Sequence, residues 1–203
     1  MARLNKIPMS NVPAATLDRR QAVPALLERH ADFLIVAGLA GTAQELSALT
    51  HESPGVFGLG GAMGASLSMG LGLALAQPKR RVLIVTGDGE LLMNVGALAT
   101  IALQNPPNLK VICVDNGHYG ETGNQDSHTG LGVQLDVIAR GSGFPVVHTI
   151  NTDADMEEGR RLLRQETGLA FILLRVMEGP PNKVRRNLVP HVERDRFRAA
   201  LLG

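Results

Sequence analysis

Two polar motifs that follow apolar segments could together bind a metal ion. Gly87-Asp88-Gly89 follows the apolar run 82–86, and Asp115-Asn116-Gly117 follows the run 111–114. One strand–helix–strand unit fills the interval between Asp88 and Asn116, so parallel neighbouring strands would bring the two side chains together. Carboxylate and carbonyl oxygens suit Mg²⁺, which also favours phosphate partners. Either motif alone is more often a simple turn, but their joint placement favours a metal site.

The elements that must position these motifs form an alternating pattern. Short, continuous apolar runs are typical of strands buried on both faces of a parallel sheet. Helical stretches separate them, which predicts an α/β fold, a three-layer doubly wound parallel sheet. The predicted strands are 33–37, 82–86, 111–114, 146–149 and 171–176. The predicted helices run from Thr16 or Asp18 to about His30, then over 44–49, 62–76, 91–104, 133–141 and 154–166, with a terminal helix after a basic loop in 182–203.

Ligands of such folds bind at the carboxyl ends of the strands. The predicted loops 38–42, 87–90 and 115–123 all lie there, where backbone N–H groups converge. The glycine-rich segment 58–64 suggests a dinucleotide fingerprint, but Met63 stands at the third glycine position. A closely packed helix start is the better interpretation of that segment.

Composition excludes several classes of protein. A net charge of +1 gives no reason to expect nucleic-acid or membrane binding. The single cysteine, Cys113, cannot form an internal disulfide or build a cysteine-ligated zinc or iron–sulfur site. The N-terminus lacks the apolar core of a signal peptide, and no apolar run approaches a membrane span of about 20 residues. We therefore expect a cytoplasmic protein, with an arm over residues 1–15 and one domain over 16–203.

Four segments together carry a family resemblance. They are GTAQEL at 41–46, GGAMGASLSMGLGLAL at 60–75, GDGELLMNVGALATIA at 87–102 and DNGHYGETGNQ at 115–125. The combination resembles the diphosphate-binding domain of thiamine diphosphate enzymes, above all the β subunit of sulfopyruvate decarboxylase and phosphonopyruvate decarboxylase. The resemblance covers roughly residues 30–178.

The resemblance implies thiamine diphosphate and Mg²⁺ as cofactors. The side chains of Asp88 and Asn116 and the backbone carbonyl of His118 would hold the metal. Met63 would support the bent cofactor, although ordinary core packing is an alternative. Glu90 departs from the usual residue after GDG, so we expect its N–H to face the diphosphate and its carboxylate to point away. The implied cofactor-binding residues are Gly41, Thr42, Gly61, Met63, Gly87, Asp88, Gly89, Glu90, Asn116, His118, Tyr119, Gly120, Glu121 and Thr122.

No residue of this chain is a firm catalytic candidate. His118 and His128 could move protons, because histidine titrates near neutrality, but a loop histidine facing solvent is the alternative for His128. Arg185 and Arg186 could reach an anionic substrate, although a solvated basic surface is the better interpretation.

The family's catalytic glutamate lies on a separate pyrimidine-binding domain, for which this chain has no room. The resemblance therefore implies a partner α-type subunit that supplies this glutamate, in an α2β2 assembly. The predicted activity is the decarboxylation of a small 2-oxo acid to CO₂ and an aldehyde. The alternatives are a subunit of a 2-oxo acid oxidoreductase or carboligase, and a non-catalytic thiamine diphosphate-binding protein.

Overall fold

Six parallel strands form one sheet in the order β2-β1-β3-β4-β8-β7, and β5 and β6 form a small antiparallel hairpin. The computed structural model describes residues 5–8, 13–187 and 189–202. The strands are β1 Leu34–Ala37, β2 Val56–Gly58, β3 Val82–Gly87, β4 Leu109–Asp115, β5 His118–Tyr119, β6 Gln125–Asp126, β7 Val147–Ile150 and β8 Ala170–Arg175.

Helices cover both faces of the sheet, which confirms the predicted three-layer α/β class. One apolar core packs α1, α2 and α7 against one face of the sheet. The other core packs α3, α5 and α6 against the opposite face, with Phe197 of α8 at its margin. The helices are α1 Arg19–Leu26, α2 Ala40–Thr50, α3 Ser66–Ala76, α4 Asp88–Leu92, α5 Ala97–Gln104, α6 Leu135–Gly141, α7 Asp153–Arg164 and α8 Pro190–Leu202.

The five predicted strands are all present, with their ends shifted by one or two residues. The sequence prediction missed β2, which has only three residues, and the hairpin β5–β6. Short strands with glycine or polar residues lack the continuous apolar run by which the longer strands were recognised.

Several predicted helix boundaries were wrong. The helix predicted over 62–76 begins only at Ser66, because Gly64 has a φ of 80°, outside the helical region. The helix predicted over 91–104 is divided into α4 and α5, with residues 93–96 between them. The helix predicted to start at Gln44 begins four residues earlier, so the predicted loop 38–42 ends inside α2.

Helix α1 is capped as the sequence predicted, because the Asp18 side chain accepts a hydrogen bond from Arg20 N at 2.8 Å. It ends at Leu26 rather than His30, and a 3₁₀ turn follows at His30–Asp32.

The edge strand β2 is covered by α8, which lies far along the chain. Arg196 donates to the backbone oxygen of Val56 at 3.4 Å, and the rings of Phe57 and Phe197 lie 5.5 Å apart. These contacts give the edge of the sheet a partner that a short exposed strand would lack.

The predicted arm over residues 1–15 falls partly outside the described residues. Within the part that is described, Ile7 N donates to Leu131 O at 2.8 Å, so this segment lies against the domain. Among the helices that the structure describes, none has both the length and the apolar character required to cross a bilayer.

Gly70 and Gly72 form a matched pair for testing how α3 packs against β3. A Cβ at Gly70 would overlap the buried Ile84 side chain, whereas a Cβ at Gly72 would meet nothing within 4 Å. We expect Gly70→Ala to lower the free energy of unfolding by about 1–3 kcal/mol. Gly72→Ala should raise it by about 0.5–1 kcal/mol, because alanine favours the helix. Urea denaturation measures both, and equal effects would contradict the packing.

Candidate functional site

A cavity of about 390 Å³ lies at the carboxyl edge of the sheet. The ends of β1, β3, β4 and β8 surround it, at the point where the chain order of the sheet reverses between β1 and β3, which is the usual ligand position in such folds. Thirteen of the fourteen residues expected at the cofactor line it, namely Gly41, Thr42, Met63, Gly87, Asp88, Gly89, Glu90, Asn116, His118, Tyr119, Gly120, Glu121 and Thr122. Gly61 instead lines a neighbouring cavity of about 370 Å³.

Asp88 lies at the centre of a buried hydrogen-bond network. Its Oδ2 accepts from Ser127 Oγ at 2.5 Å and lies 3.0 Å from Thr129 Oγ1. Thr129 Oγ1 also lies 2.7 Å from Asp115 Oδ1, and Gly117 N donates to the same Asp115 oxygen at 3.0 Å. Two hydroxyl groups therefore connect two buried carboxyl groups.

Both carboxyl groups hold their protons more tightly than usual. Burial raises the pKa of Asp88, against the opposing effect of the hydrogen bonds from Ser127 and Thr129. Burial and the nearby Asp88 charge raise the pKa of Asp115 to about 6. Desolvated, mutually repelling carboxylates would be relieved by a cation, so the surroundings of Asp88 fit a divalent metal.

The Asn116 side chain completes a set of oxygen atoms. One terminal atom of its amide lies 3.3 Å from Asp88 Oδ1 and 3.0 Å from the backbone oxygen of His118. If that atom is the amide nitrogen, it donates to both oxygens. If it is the amide oxygen, three oxygen atoms come together, as a Mg²⁺ ion requires. Among the described residues, no group of three or more His, Cys, Asp or Glu side chains could hold a metal, so a site here depends on amide and backbone oxygens.

The N-terminus of α2 forms another part of the cavity wall. Helix α2 has no side-chain cap and no acidic residue in its first turn, so the N–H groups of this turn favour an anion. Glu90 is buried and turns toward β1, where its Oε2 accepts from Leu39 N at 3.0 Å. A Cβ at Gly38 would overlap this carboxylate, so the glycine makes room for it.

Tyr119 forms part of the cavity wall, and His128 contacts it from outside the cavity. A Cβ at Gly89 would overlap the Tyr119 ring, so the ring lies directly on the GDG backbone. The Tyr119 hydroxyl lies 3.1 Å from His128 Nδ1. His128 itself is exposed and is not part of the cavity lining, so its access to a ligand would be through Tyr119.

His118 lies at the cavity mouth among acidic side chains. Its Nδ1 is 2.8 Å from Asn116 O, and a carbonyl only accepts, so Nδ1 carries the hydrogen. Its Nε2 lies 3.3 Å from Asp126 Oδ1 and 3.9 Å from Glu178 Oε2. Of the two histidine candidates, His118 is the one that lines the cavity.

Sequence reasoning missed several residues of the site. Ser127 and Thr129 lie beyond the loop that was expected to hold the ligand, and Arg19 comes from α1, far from any recognised motif. Glu178 follows β8, so its position after a predicted strand was the only signal that could have found it.

Comparison with known proteins agrees with this geometry. The model of the family described as "Thiamine pyrophosphate enzyme, C-terminal TPP binding domain" matches residues 40–173. Sulfopyruvate decarboxylase subunit beta of Methanococcus maripaludis is 31% identical over 185 residues, which cover 91% of this chain and 98% of that subunit.

The chain belongs to the thiamine pyrophosphate enzyme family.

Two further comparisons bear on this TPP-binding domain. Phosphonopyruvate decarboxylase of Streptomyces viridochromogenes is 32% identical over 188 residues, covering 92% of this chain but 47% of that protein. The structure of 2-oxoglutarate:ferredoxin oxidoreductase from Magnetococcus marinus shares the fold, with a TM-score of 0.62 and 18% identity, over 86% of this chain and 68% of that one. The predicted resemblance to sulfopyruvate and phosphonopyruvate decarboxylases is confirmed.

Removing the Thr129 hydroxyl tests the carboxyl network. We expect Thr129→Val to lower the free energy of unfolding by about 1–3 kcal/mol at pH 8, because the ionised Asp115 loses a donor. The loss should be smaller at pH 5, where Asp115, with its pKa of about 6, is mostly protonated.

The stability of the wild type should also depend on pH through Asp115. Because the pKa of Asp115 is higher in the folded chain than its ordinary 3.8, its contribution to stability falls as the pH rises from 3.8 to about 6. Urea denaturation at both pH values measures these effects. Thr129→Ser, which keeps the hydroxyl, is the control, and an equal loss for Thr129→Val at pH 5 and pH 8 would contradict the interpretation.

Proposed function

We propose that this chain is the β-type subunit of a 2-oxo acid decarboxylase that uses thiamine diphosphate and Mg²⁺. The substrate is a small 2-oxo acid with a second anionic group, such as a sulfonate or phosphonate, and the products are CO₂ and an aldehyde. The active site is shared with a pyrimidine-binding α-type subunit that supplies the catalytic glutamate, in an α2β2 assembly.

The observation that carries the proposal is the grouping of Asp88, Asn116 and the His118 carbonyl in the same cavity as the N-terminus of α2. The metal would bind to the three oxygen atoms of the first group. The diphosphate would bind between this metal and the backbone N–H groups of Gly41 and Thr42. One cavity thus offers a cation site and an anion site side by side.

The names of the relatives support decarboxylation. Thiamine diphosphate supplies the electron sink that the departure of CO₂ requires. This chain would orient the cofactor through Met63 and the backbone of residues 120–122, which line the same cavity. His118 Nε2, at the mouth, is the group we propose to hold or release a proton near the reacting carbon.

Relative lengths support a partner subunit. The chain spans nearly all of a relative that is named a β subunit, but about half of the phosphonopyruvate decarboxylase that it matches. The name of the β-subunit relative supports a second, α-type chain that contributes the other part of the active site.

An uncharged helical surface indicates where the partner would bind. Neither α3 nor the segment 91–104 contains a charged residue, and their exposed side chains include Leu75, Met93 and Leu103, which are 52%, 58% and 85% exposed. We call this surface the α3–α5 face. Both helices run from the carboxyl edge of the sheet to the opposite edge, so the face begins beside Met63 at the cavity. Exposed apolar side chains on an uncharged surface are typical of an interface.

Binding of the cofactor is the first test. With Mg²⁺ present, wild type should bind thiamine diphosphate in calorimetry. Asp88→Ala should weaken this binding by more than about 100-fold, because mutating residues that only support the metal ligands already lowers metal affinity by about 10–100-fold. Asp195→Ala, which removes an exposed acid of α8, should leave binding unchanged. Binding by wild type that does not depend on Mg²⁺ would contradict the metal site.

Leu103→Arg tests the partner surface. The variant should fold like wild type, because the side chain is exposed, but it should no longer form the complex with the pyrimidine-binding subunit. Leu202→Arg changes an exposed leucine of α8, outside the α3–α5 face, and should still form it. Light scattering of the co-expressed chains measures the mass of the complex, and CO₂ release from sulfopyruvate or phosphonopyruvate measures its activity. An intact complex with Leu103→Arg would place the partner elsewhere.

A further inference from the structure

Arg19 is a buried cation in the wall of the cofactor cavity, and none of the sequence motifs points to it. It is the first residue of α1 and only 8% exposed. Its Nη2 donates to Gly179 O at 2.7 Å, which fixes the guanidinium between α1 and the segment after β8.

The rest of the guanidinium is incompletely paired. Its Nε is buried without a hydrogen-bond partner, and the nearest carboxylate oxygen, Glu45 Oε1, is 3.6 Å away. Both Glu45 oxygens already accept hydrogen bonds from Asn182, Oε1 from the backbone N at 2.9 Å and Oε2 from Nδ2 at 2.5 Å. Nη1 makes no hydrogen bond to any part of the chain that the structure describes. Burial lowers the pKa of Arg19, yet a guanidinium stays charged at neutral pH.

Nη1 lies against the first turn of α2. A Cβ built on Gly41 would come within 2.5 Å of Nη1, so only glycine lets the guanidinium approach this backbone. The first turn of α2 contains no acidic residue and the Leu39 side chain does not cap it; within the described part of the chain, Glu90 Oε2 accepts only from Leu39 N, one residue before the helix. A buried, under-paired cation and the N–H groups of this turn therefore meet in one wall of the cavity, and both favour the same kind of ligand, an anion with several oxygens.

We propose that Arg19 binds the diphosphate group in this cavity, together with the N-terminus of α2. This inference rests on the proposed function for the identity of the complete ligand. Arg19 would neutralise charge on the diphosphate, and its planar fork would contact phosphate oxygens while Nη2 keeps its bond to Gly179. The close pairing of Gly41 with Arg19 is then a requirement of ligand binding as well as of packing.

The test compares Arg19→Gln with Arg20→Gln in the full-length chain. Arg20 is the adjacent residue, but its side chain is exposed and pairs only with Asp18 in the described structure. Calorimetric titrations would use two probes, Mg²⁺ with inorganic diphosphate and Mg²⁺ with thiamine diphosphate. We expect Arg19→Gln to weaken both by about 10- to 100-fold, the usual effect of losing a charged hydrogen bond. Arg20→Gln should bind both probes like wild type.

Arg19→Lys separates binding from folding. Lysine keeps the charge but lacks the fork, so it should recover part of the lost affinity. Thermal unfolding without ligand shows whether each variant is folded. Unchanged affinity in Arg19→Gln, an equal loss in Arg20→Gln, or a folded Arg19→Lys that binds no better than Arg19→Gln would each overturn the assignment.

The two probes also distinguish this inference from the proposed function. If wild type binds inorganic diphosphate through Arg19 but does not bind thiamine diphosphate, the anion site stands and the proposed cofactor is wrong. If thiamine diphosphate binds and Arg19→Gln does not weaken it, the proposed cofactor stands and Arg19 is only structural. Binding of neither probe by wild type would refute both.

Discussion

Two carboxyl groups buried next to each other are the constraint around which this site is built. Strands β3 and β4 pair in parallel with Gly87 opposite Val114, so Asp88 and Asp115 leave the sheet side by side. Their charges repel, and neither is exposed enough for water to screen it. The chain responds by folding the segment after β4 back on itself, so that Ser127 and Thr129 reach both groups. That return depends on the φ of 70° at Gly117, and on Gly130, where a Cβ would overlap Gly117 O.

The same cavity also contains groups of positive character. Acidic groups and carbonyl oxygens gather around Asp88, while Arg19 and the N-terminus of α2 also line the cavity wall. A magnesium diphosphate has the complementary distribution, with a cation on one side of its phosphate oxygens and uncompensated negative charge on the other. Glu90 is the exception, since it brings a carboxylate close to the anion side. The hydrogen bond from Leu39 N holds that carboxylate against the end of β1, and glycine at position 38 leaves room for it.

The fold was predictable because its central strands are long apolar runs, each ended by glycine or a polar residue. That pattern alone located Asp88 and Asn116 at the same edge of the sheet. Helix ends were less predictable, since the break between α4 and α5 depends on tertiary contacts. There Asn94 donates to Gly64 O and Ser68 Oγ, which lie on another segment. Ser127, Thr129 and Arg19 could not be found for a similar reason. Their roles come from contacts made across 39, 41 and 160 positions of the chain, and no local pattern records such contacts.

The covering of β2 by α8 has a consequence for the order in which the molecule folds. Arg196 and Val56 are 140 positions apart, so the edge of the sheet stays open on the ribosome until almost the whole domain has been synthesised. Contacts of such high sequence separation form slowly, because closing the long intervening chain costs conformational entropy. The segment 59–62 follows β2 and lines the neighbouring cavity of about 370 Å³, which residues of α8 also line. This side of the ligand region would therefore be among the last parts of the nascent chain to become ordered.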